Sequence, residues 1–182
     1  MTFEQSAAGE PRRIERGARL AIDVGLARVG VAASDPDGIL ASPVATLNRD
    51  KSVGYAIGGR IPSVLPKDIR ELVSIVEDRF IKIVYIGLPQ QLSGAKGQSV
   101  DMALTYAHLL QQAAPEVEIW MIDERMTTVT AHQTLHAAGK KAKSHRAVVD
   151  QVAAVVMLET ALETEKRQGV RAGKPLADLI AL

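Results

Sequence analysis

The sequence predicts one α/β domain built on a mixed five-stranded sheet flanked by helices, and three observations support this prediction. Three apolar runs of strand length come first, with only turns between them. From residue 66 onwards, segments of helical period alternate with two further strand-like runs. The 182 residues, 47% of them hydrophobic and 24% charged, can bury one substantial core. The first three strands should form an antiparallel meander, and the last two, which need crossover helices, should run parallel to the first.

The first three strands are predicted from their apolar composition and from the turns between them. Residues 20–22 form an apolar run that ends at Asp23, and a tight turn leads into a second strand over residues 29–33. A strong turn signal follows, and then a third strand over residues 39–47. Because Pro43 cannot donate to a ladder, the third strand should lie at an edge of the sheet.

The later elements are predicted from helical spacing and from the signals at their ends. Ile69, Leu72 and Val76 recur at helical spacing after Pro66, so a helix should begin there. The elements that follow are a strand over residues 81–86, a helix that stops before Pro115, a strand over residues 117–122, a helix from Thr127 or Thr128 to Gly139, and a last helix capped by Ser144. Residues 48–67, rich in Gly, Pro and Ser, are predicted to form a long surface loop.

Composition excludes several classes of protein and suggests how the chain is divided. The chain has no cysteine, which excludes disulfides, thiolate metal sites and cysteine nucleophiles. No apolar segment is long enough to span a bilayer, so we expect a cytoplasmic protein without a membrane partner. With a net charge of +1, nucleic-acid binding would have to come from a local basic patch. Residues 1–17 are predicted to be a mobile leader, residues 18–168 the folded domain and residues 169–182 a C-terminal tail.

Acidic residues follow two of the predicted strands and stand near the start of the last helix. Asp23 ends the first strand, and Asp123 and Glu124 follow the fifth. Together with Asp150 of the last helix they should converge, because the carboxyl ends of parallel strands meet at one edge of a sheet. Carboxylates gathered in this way form a hard-oxygen site suited to Mg²⁺ or Mn²⁺. Simpler explanations also exist: Asp23 could open an Asx-type turn before Gly25, and Asp150 could interact with the helix dipole.

Four motifs of the chain resemble those of one family. They are Asp23-Val-Gly-Leu-Ala-Arg-Val-Gly30, Ile86-Gly-Leu-Pro89 with Gly94 following, Asp123-Glu-Arg-Met-Thr-Thr128, and the helical segment from Val149 to Glu159. With them the chain resembles the YqgF/RuvX family of pre-16S rRNA nucleases and Holliday junction resolvase-like proteins over residues 19–159. The resemblance implies an RNase H-like fold, Mg²⁺ or Mn²⁺ as cofactor, and hydrolysis of phosphodiester bonds. It also implies that Asp23, Glu124 and Asp150 are the catalytic acids and the metal ligands.

One departure concerns the fourth strand. It ends in Gly87, where the more distant junction resolvases have a carboxylate. If the resemblance holds, Glu124 must therefore supply that carboxylate from the fifth strand.

Contacts to nucleic acid are expected from cations near the acids and from one basic loop. Arg28 and Arg125 could each fork onto phosphate oxygens, and Thr127 could present a helix N-terminus to a phosphate. The loop contributes Lys140, Lys141, Lys143 and Arg146. Each of these residues also has a structural interpretation. The arginines could form ion pairs with nearby acids, the threonine could cap a helix, and the loop could be a solvated surface.

The favoured function is that of a metal-dependent endonuclease for structured nucleic acid, and the resemblance points to processing of the 5′ end of pre-16S ribosomal RNA. A Holliday-junction-type DNA resolvase and a non-catalytic nucleic-acid-binding factor are the alternatives. Actin-like ATPases and sugar kinases also begin with Asp-x-Gly and a hairpin, but they need two related domains, and this chain has no internal repeat. The expected partner is pre-ribosomal RNA or branched DNA. The sequence is also compatible with a homodimer.

Overall fold

The computed structural model describes residues 14–89, 97–124 and 146–180, and only the backbone of residues 146–148. In chain order the elements are β1 (Arg19–Val24), β2 (Arg28–Ser34), β3 (Ala41–Asn48), α1 (Lys67–Asp78), β4 (Ile83–Leu88), α2 (Gln98–Ala113), β5 (Glu118–Asp123), α3 (Arg146–Gln168), β6 (Lys174–Pro175) and α4 (Leu176–Leu179). The predicted helix from Thr127 or Thr128 to Gly139 lies outside the described residues, as do residues 1–13 of the predicted leader.

The strands form one mixed sheet in the order β3-β2-β1-β4-β5-β6. β2 is antiparallel to both β1 and β3, whereas β4 runs parallel to β1 and β5 parallel to β4. The predicted architecture of an antiparallel meander followed by parallel strands is therefore confirmed. β3 lies at an edge, as Pro43 indicated, and its pairing with β2 is irregular next to that proline, between Val31 and Ala32.

The described sheet has six strands, not the five that were predicted. The additional strand β6 has two residues and pairs antiparallel with β5, Lys174 opposite Met121 and Pro175 opposite Trp120. Gly173 precedes it with φ +80°, and a Cβ at this position would lie 2.1 Å from the Met121 carbonyl oxygen. Two residues, one of them proline, carry no alternating pattern, so periodicity could not reveal this strand.

Both faces of the sheet are covered, by different helices. Leu20 and Ile22 point into a core that is closed by α1 and α2, with Leu72 and Leu110 among its buried residues. Ala21 points to the other face, where α3 packs on it in a second cluster. This double coverage explains the near-continuous apolar runs of β1 and β4. None of the helices in the described ranges is long and apolar enough to cross a membrane.

The sheet topology brings three strand ends to one edge. The carboxyl ends of the parallel strands β1, β4 and β5 meet there, and the turn from β1 to β2 lies at the same edge. Since side chains alternate along a strand, Asp23 points to the same face as Ala21, the face that α3 covers. The fold thereby places the first predicted catalytic acid beside the last helix.

Candidate active site

Asp23 is the last residue but one of β1 and lies opposite Gly30 of β2. Its pKa is raised from 3.8 to about 6, first by burial and then by the negative charges of Glu124 and Asp150. The three acids that were expected to converge therefore lie near enough for their charges to act on one another.

Glu124 directly follows β5, and its side chain lies beside Gly87, the last residue but one of β4. The backbone N–H of Glu124 donates to the Leu88 carbonyl at 3.2 Å, which continues the pairing of β4 and β5. A Cβ at Gly87 would lie 3.7 Å from Glu124 Oε1, so the Glu124 carboxylate stands over this glycine. Burial and the charge of Asp123 raise the pKa of the Glu124 carboxyl. The Glu124 carboxylate therefore lies over the end of β4, the strand that carries no carboxylate of its own there.

Asp150 reaches the site because α3 packs closely on β2. A Cβ at Gly30 would stand only 2.0 Å from the Asp150 carbonyl oxygen, so no other residue type fits there without moving the helix. Gly30 is also the residue paired with Asp23 across the two strands. A single glycine therefore sets how closely the backbone of Asp150 approaches the strand pair that carries Asp23.

Arg28 is the first residue of β2 and makes an ion pair with Asp150. Its Nε donates to Asp150 Oδ2 at 2.6 Å, a short charge-assisted hydrogen bond. The Arg28 side chain is 32% exposed and that of Asp150 26%, so the pair is open to solvent. In this structure Arg28 has the acid-pairing role that was the plainer of its two predicted roles.

The donor set of the site suits a hard divalent cation. Asp23, Glu124 and Asp150 supply carboxylate oxygens, the ligands that Mg²⁺ and Mn²⁺ prefer. Burial raises the pKa of Asp23, and the negative charges of Glu124 and Asp150 raise it further, so a bound cation would favour the ionised form. As they stand, no three acidic or histidine side chains within residues 14–89, 97–124 and 146–180 are grouped to hold one ion. The residues fit a cation in chemistry and charge, whereas Arg28 occupies one oxygen of Asp150.

Most of the predicted nucleic-acid contacts fall outside the part of the chain that the structure describes. This applies to Arg125, Thr127, Lys140, Lys141 and Lys143. Arg146 begins α3, but its side chain is not among those described.

Sequence reasoning missed a group of residues beside the site. Arg49 lies within the segment predicted to be a long surface loop. Its side chain packs against the turn between β1 and β2, where Nη1 donates to the Gly25 carbonyl oxygen at 3.1 Å. It also pairs with Asp68, a carboxylate that is 1% exposed. The available signal was weak: an arginine directly after an edge strand, and an acid in the first turn of an amphipathic helix.

Comparison with known proteins agrees with this geometry. A family model described as "RuvX: Holliday junction resolvase" matches residues 17–164. A protein of Kineococcus radiotolerans named "Putative pre-16S rRNA nuclease" is 44% identical over 161 residues, which cover 88% of this chain and 79% of that protein. A protein of Streptomyces coelicolor with the same name is 43% identical over 168 residues, 92% of each chain.

A solved structure shows the same fold at much lower sequence identity. The Thermus thermophilus RuvC chain in complex with a Holliday junction substrate is 13% identical, with a TM-score of 0.51 over 87% of this chain and 99% of that one. The mixed sheet and its flanking helices are thus RNase H-like, as the resemblance implied. The family model covers most of the chain and the relatives exceed 40% identity over nearly its whole length, so this chain belongs to the RuvX family.

Proposed function

We propose that this protein is a metal-dependent endonuclease that hydrolyses phosphodiester bonds in structured nucleic acid, with the 5′ end of pre-16S ribosomal RNA as its substrate. The observation that carries the proposal is the meeting of Asp23, Glu124 and Asp150, from β1, the end of β5 and α3, at one sheet edge. Stability alone gives no reason for this arrangement, because neighbouring carboxylates repel one another and burial disfavours the charged form of Asp23. The names of the RuvX relatives support RNA as the substrate class.

In this proposal the three acids bind one or two Mg²⁺ or Mn²⁺ ions. Bound ions of this kind supply an activated water and stabilise the leaving oxygen of an in-line displacement. Asp23 contributes a carboxylate on the rigid end of a strand, and Glu124 contributes one held over Gly87. Asp150 becomes available for an ion when Arg28 releases it, and the planar guanidinium of Arg28 can then fork onto a phosphate oxygen.

Nucleic-acid binding is assigned to cations around the acids. Arg28 and Arg125 are assigned to the phosphates near the cleaved bond, and Thr127, which the sequence predicts to stand at a helix N-terminus, is assigned to them as well. Binding further along the strand is assigned to Lys140, Lys141, Lys143 and Arg146. Because these contacts are made to phosphates, they give affinity without reading base sequence.

The test is a cleavage assay on purified protein with Mg²⁺ or Mn²⁺, using pre-16S ribosomal RNA and a four-way DNA junction side by side. We expect cleavage of the RNA that a chelator abolishes. Asp23→Asn keeps the shape but removes a ligand charge, so it should lower the rate by more than the roughly 100-fold loss typical of outer-shell mutations, while RNA binding persists. Asp78→Asn, an exposed acid at the end of α1, serves as the matched control and should cut like wild type.

Four results would contradict the proposal. Cleavage that survives the chelator, or that Asp23→Asn leaves intact, would place the activity elsewhere. Preferred cleavage of the four-way junction would favour the DNA resolvase. Tight RNA binding without cleavage under any of these conditions would favour a non-catalytic binding factor.

A further inference from the structure

The turn between β1 and β2 is held from outside by Arg49, the residue that follows β3. Its backbone N–H donates to the Ala27 carbonyl at 2.9 Å, and its side-chain Nη1 donates to the Gly25 carbonyl at 3.1 Å. Within the turn, the Gly25 N–H donates to the Arg28 carbonyl at 2.8 Å. Arg49 therefore contacts both halves of the short segment that separates Asp23 from Arg28.

The Arg49 side chain is anchored on its other side by Asp68 and Tyr106. Arg49 Nε stands 3.4 Å from Asp68 Oδ2, and the Tyr106 hydroxyl donates to the same oxygen at 3.1 Å. The guanidinium carbon lies 4.7 Å from the centre of the Tyr106 ring, in cation–π contact. We call these three residues the Arg49 cluster. They tie the turn to the first turn of α1 and to the middle of α2.

The next residue, Asp50, adds a second tie to the same helix. Its Oδ2 accepts the backbone N–H of Lys67, the first residue of α1, at 2.8 Å. Two successive residues after β3 are thus fixed to one helix turn, which leaves the Arg49 side chain little freedom to drift.

The Arg49 cluster is not expected to contribute much to the free energy of unfolding. Asp68 is 1% exposed, and its Oδ1 has no hydrogen-bond partner among the described residues; the same holds for Arg49 Nε. A buried ion pair with incomplete hydrogen bonding rarely repays the desolvation of its charges, and apolar side chains of similar volume often serve stability better. What this pair does provide is a defined position for Nη1 against the Gly25 carbonyl.

We infer that Arg49 is a positioning residue for the nuclease reaction, and this inference rests on the proposed function. Arg49 holds the turn so that Asp23, on one side, keeps its distance from Glu124 and Asp150. On the other side of the turn, Arg28 keeps its reach to Asp150. Arg49 acts through the turn and does not itself contact the substrate or the ions.

The decisive variant is Arg49→Lys. Lysine retains the positive charge and can still pair with Asp68, but it has one nitrogen in place of the separate Nε and Nη1, so it cannot keep both contacts in their present geometry. Val76→Ala is the matched control: Val76 is 2% exposed in the same helix, about 13 Å along its axis from Lys67, so its truncation costs stability without touching the turn.

Three measurements separate positioning from a purely structural role. The first is amide hydrogen exchange at Gly25, which needs no activity, and the second is the affinity for Mn²⁺. The third is kcat and KM for cleavage of pre-16S ribosomal RNA. In Arg49→Lys we expect exchange at Gly25 to rise about 10-fold, Mn²⁺ affinity to fall several-fold, and kcat to fall about 10- to 100-fold with a smaller change in KM. Val76→Ala should leave all three near their wild-type values after correction for global stability.

The inference is overturned if Arg49→Lys leaves the exchange at Gly25 unchanged. It is also overturned if exchange accelerates while Mn²⁺ affinity and kcat stay as in wild type, or if Val76→Ala reproduces the losses. A wild-type protein that neither binds Mn²⁺ nor cuts contradicts the proposed function instead, and exchange at Gly25 then decides alone whether Arg49 holds the turn.

Discussion

Helix α3 carries a carboxylate near each end, and the two have opposite surroundings. Near its start, Asp150 meets one arginine and lies close enough to Asp23 to raise the pKa of that acid. Some 22 Å further along the axis, Glu165 accepts hydrogen bonds from Arg19, Arg171 and the Tyr85 hydroxyl.

The two ends differ in how many cationic partners the carboxylate has and in how deeply it is buried. Arg19 Nη2 stands 2.9 Å from Glu165 Oε2 and Arg171 Nη1 stands 2.7 Å from Oε1, and the Glu165 side chain is 6% exposed. The buried Glu165 carboxylate is therefore stabilised by an arginine at each of its two oxygens. At the other end, the charges of Glu124 and Asp150 add to burial in raising the pKa of Asp23. The comparison teaches that the fold surrounds a carboxylate on this helix with two arginines where structure requires it, whereas Asp150 at the candidate site meets one partly exposed arginine, an arrangement that the proposed cation would complement.

Of the substitutions that test this comparison, Glu165→Gln is expected to change the free energy of unfolding most. The change leaves Arg19 and Arg171 without their shared counter-charge in a buried place, so the free energy of unfolding should fall by about 3–5 kcal/mol. Urea unfolding at neutral pH measures this. Glu163→Gln is the control, since Glu163 is half-exposed, pairs only with Arg167 one helix turn away among the described residues, and should cost under about 0.5 kcal/mol. Equal losses in both variants would show that the buried network has no special role.

A smaller effect of opposite sign is expected from Asp23→Asn in the presence of a chelator. The folded-state pKa of Asp23 is raised, so its carboxyl favours folding below the ordinary pKa of 3.8, and this contribution is lost as the pH rises through about 6. Stability of the wild type should fall by about 2–3 kcal/mol across this window, and the variant should lack that fall. At neutral pH the variant should therefore be the more stable protein, by thermal unfolding. A less stable variant at neutral pH would mean that the acids are not in conflict.

The smallest effect is expected from Arg28→Gln. Without this partner Asp150 adds more repulsion, but the pair is partly exposed, so the stability of the metal-free protein should fall by only about 1 kcal/mol. Added Mg²⁺ should stabilise the variant more than the wild type, since no arginine competes for Asp150. Thermal unfolding with Mg²⁺ and with chelator measures both changes. Identical gains from Mg²⁺ in both proteins would argue against competition between Arg28 and the ion.

The convergence of the acids was predictable because it follows from chain order. Asp23 ends a strand, Glu124 follows another, and parallel strands joined by crossover helices bring such ends together. Gly87 and Gly30 were visible as glycines, yet their roles depend on what stands over them, the Glu124 carboxylate and the Asp150 carbonyl. Contacts of that kind arise only when helices dock.

Other features could not be predicted because they join distant parts of the chain without a local pattern. The Glu165 network links residues 146 positions apart, and the Arg49 cluster joins the exit of β3 to two helices. Strand β6 is too short to show alternation. In each case the sequence contains suitable partners, but only the packed layers decide which of many arginines and acids meet.

The prolines of the sheet have a consequence for self-association. In the described part of the chain, both edge strands contain one: Pro43 in β3 and Pro175 in β6. A proline offers no N–H to an incoming strand, and the β3 edge is also irregular next to Pro43. Each margin of the sheet is therefore a poor template for adding a strand from another molecule. In the folded protein, edge-to-edge pairing of two copies is therefore disfavoured at both margins of the described sheet.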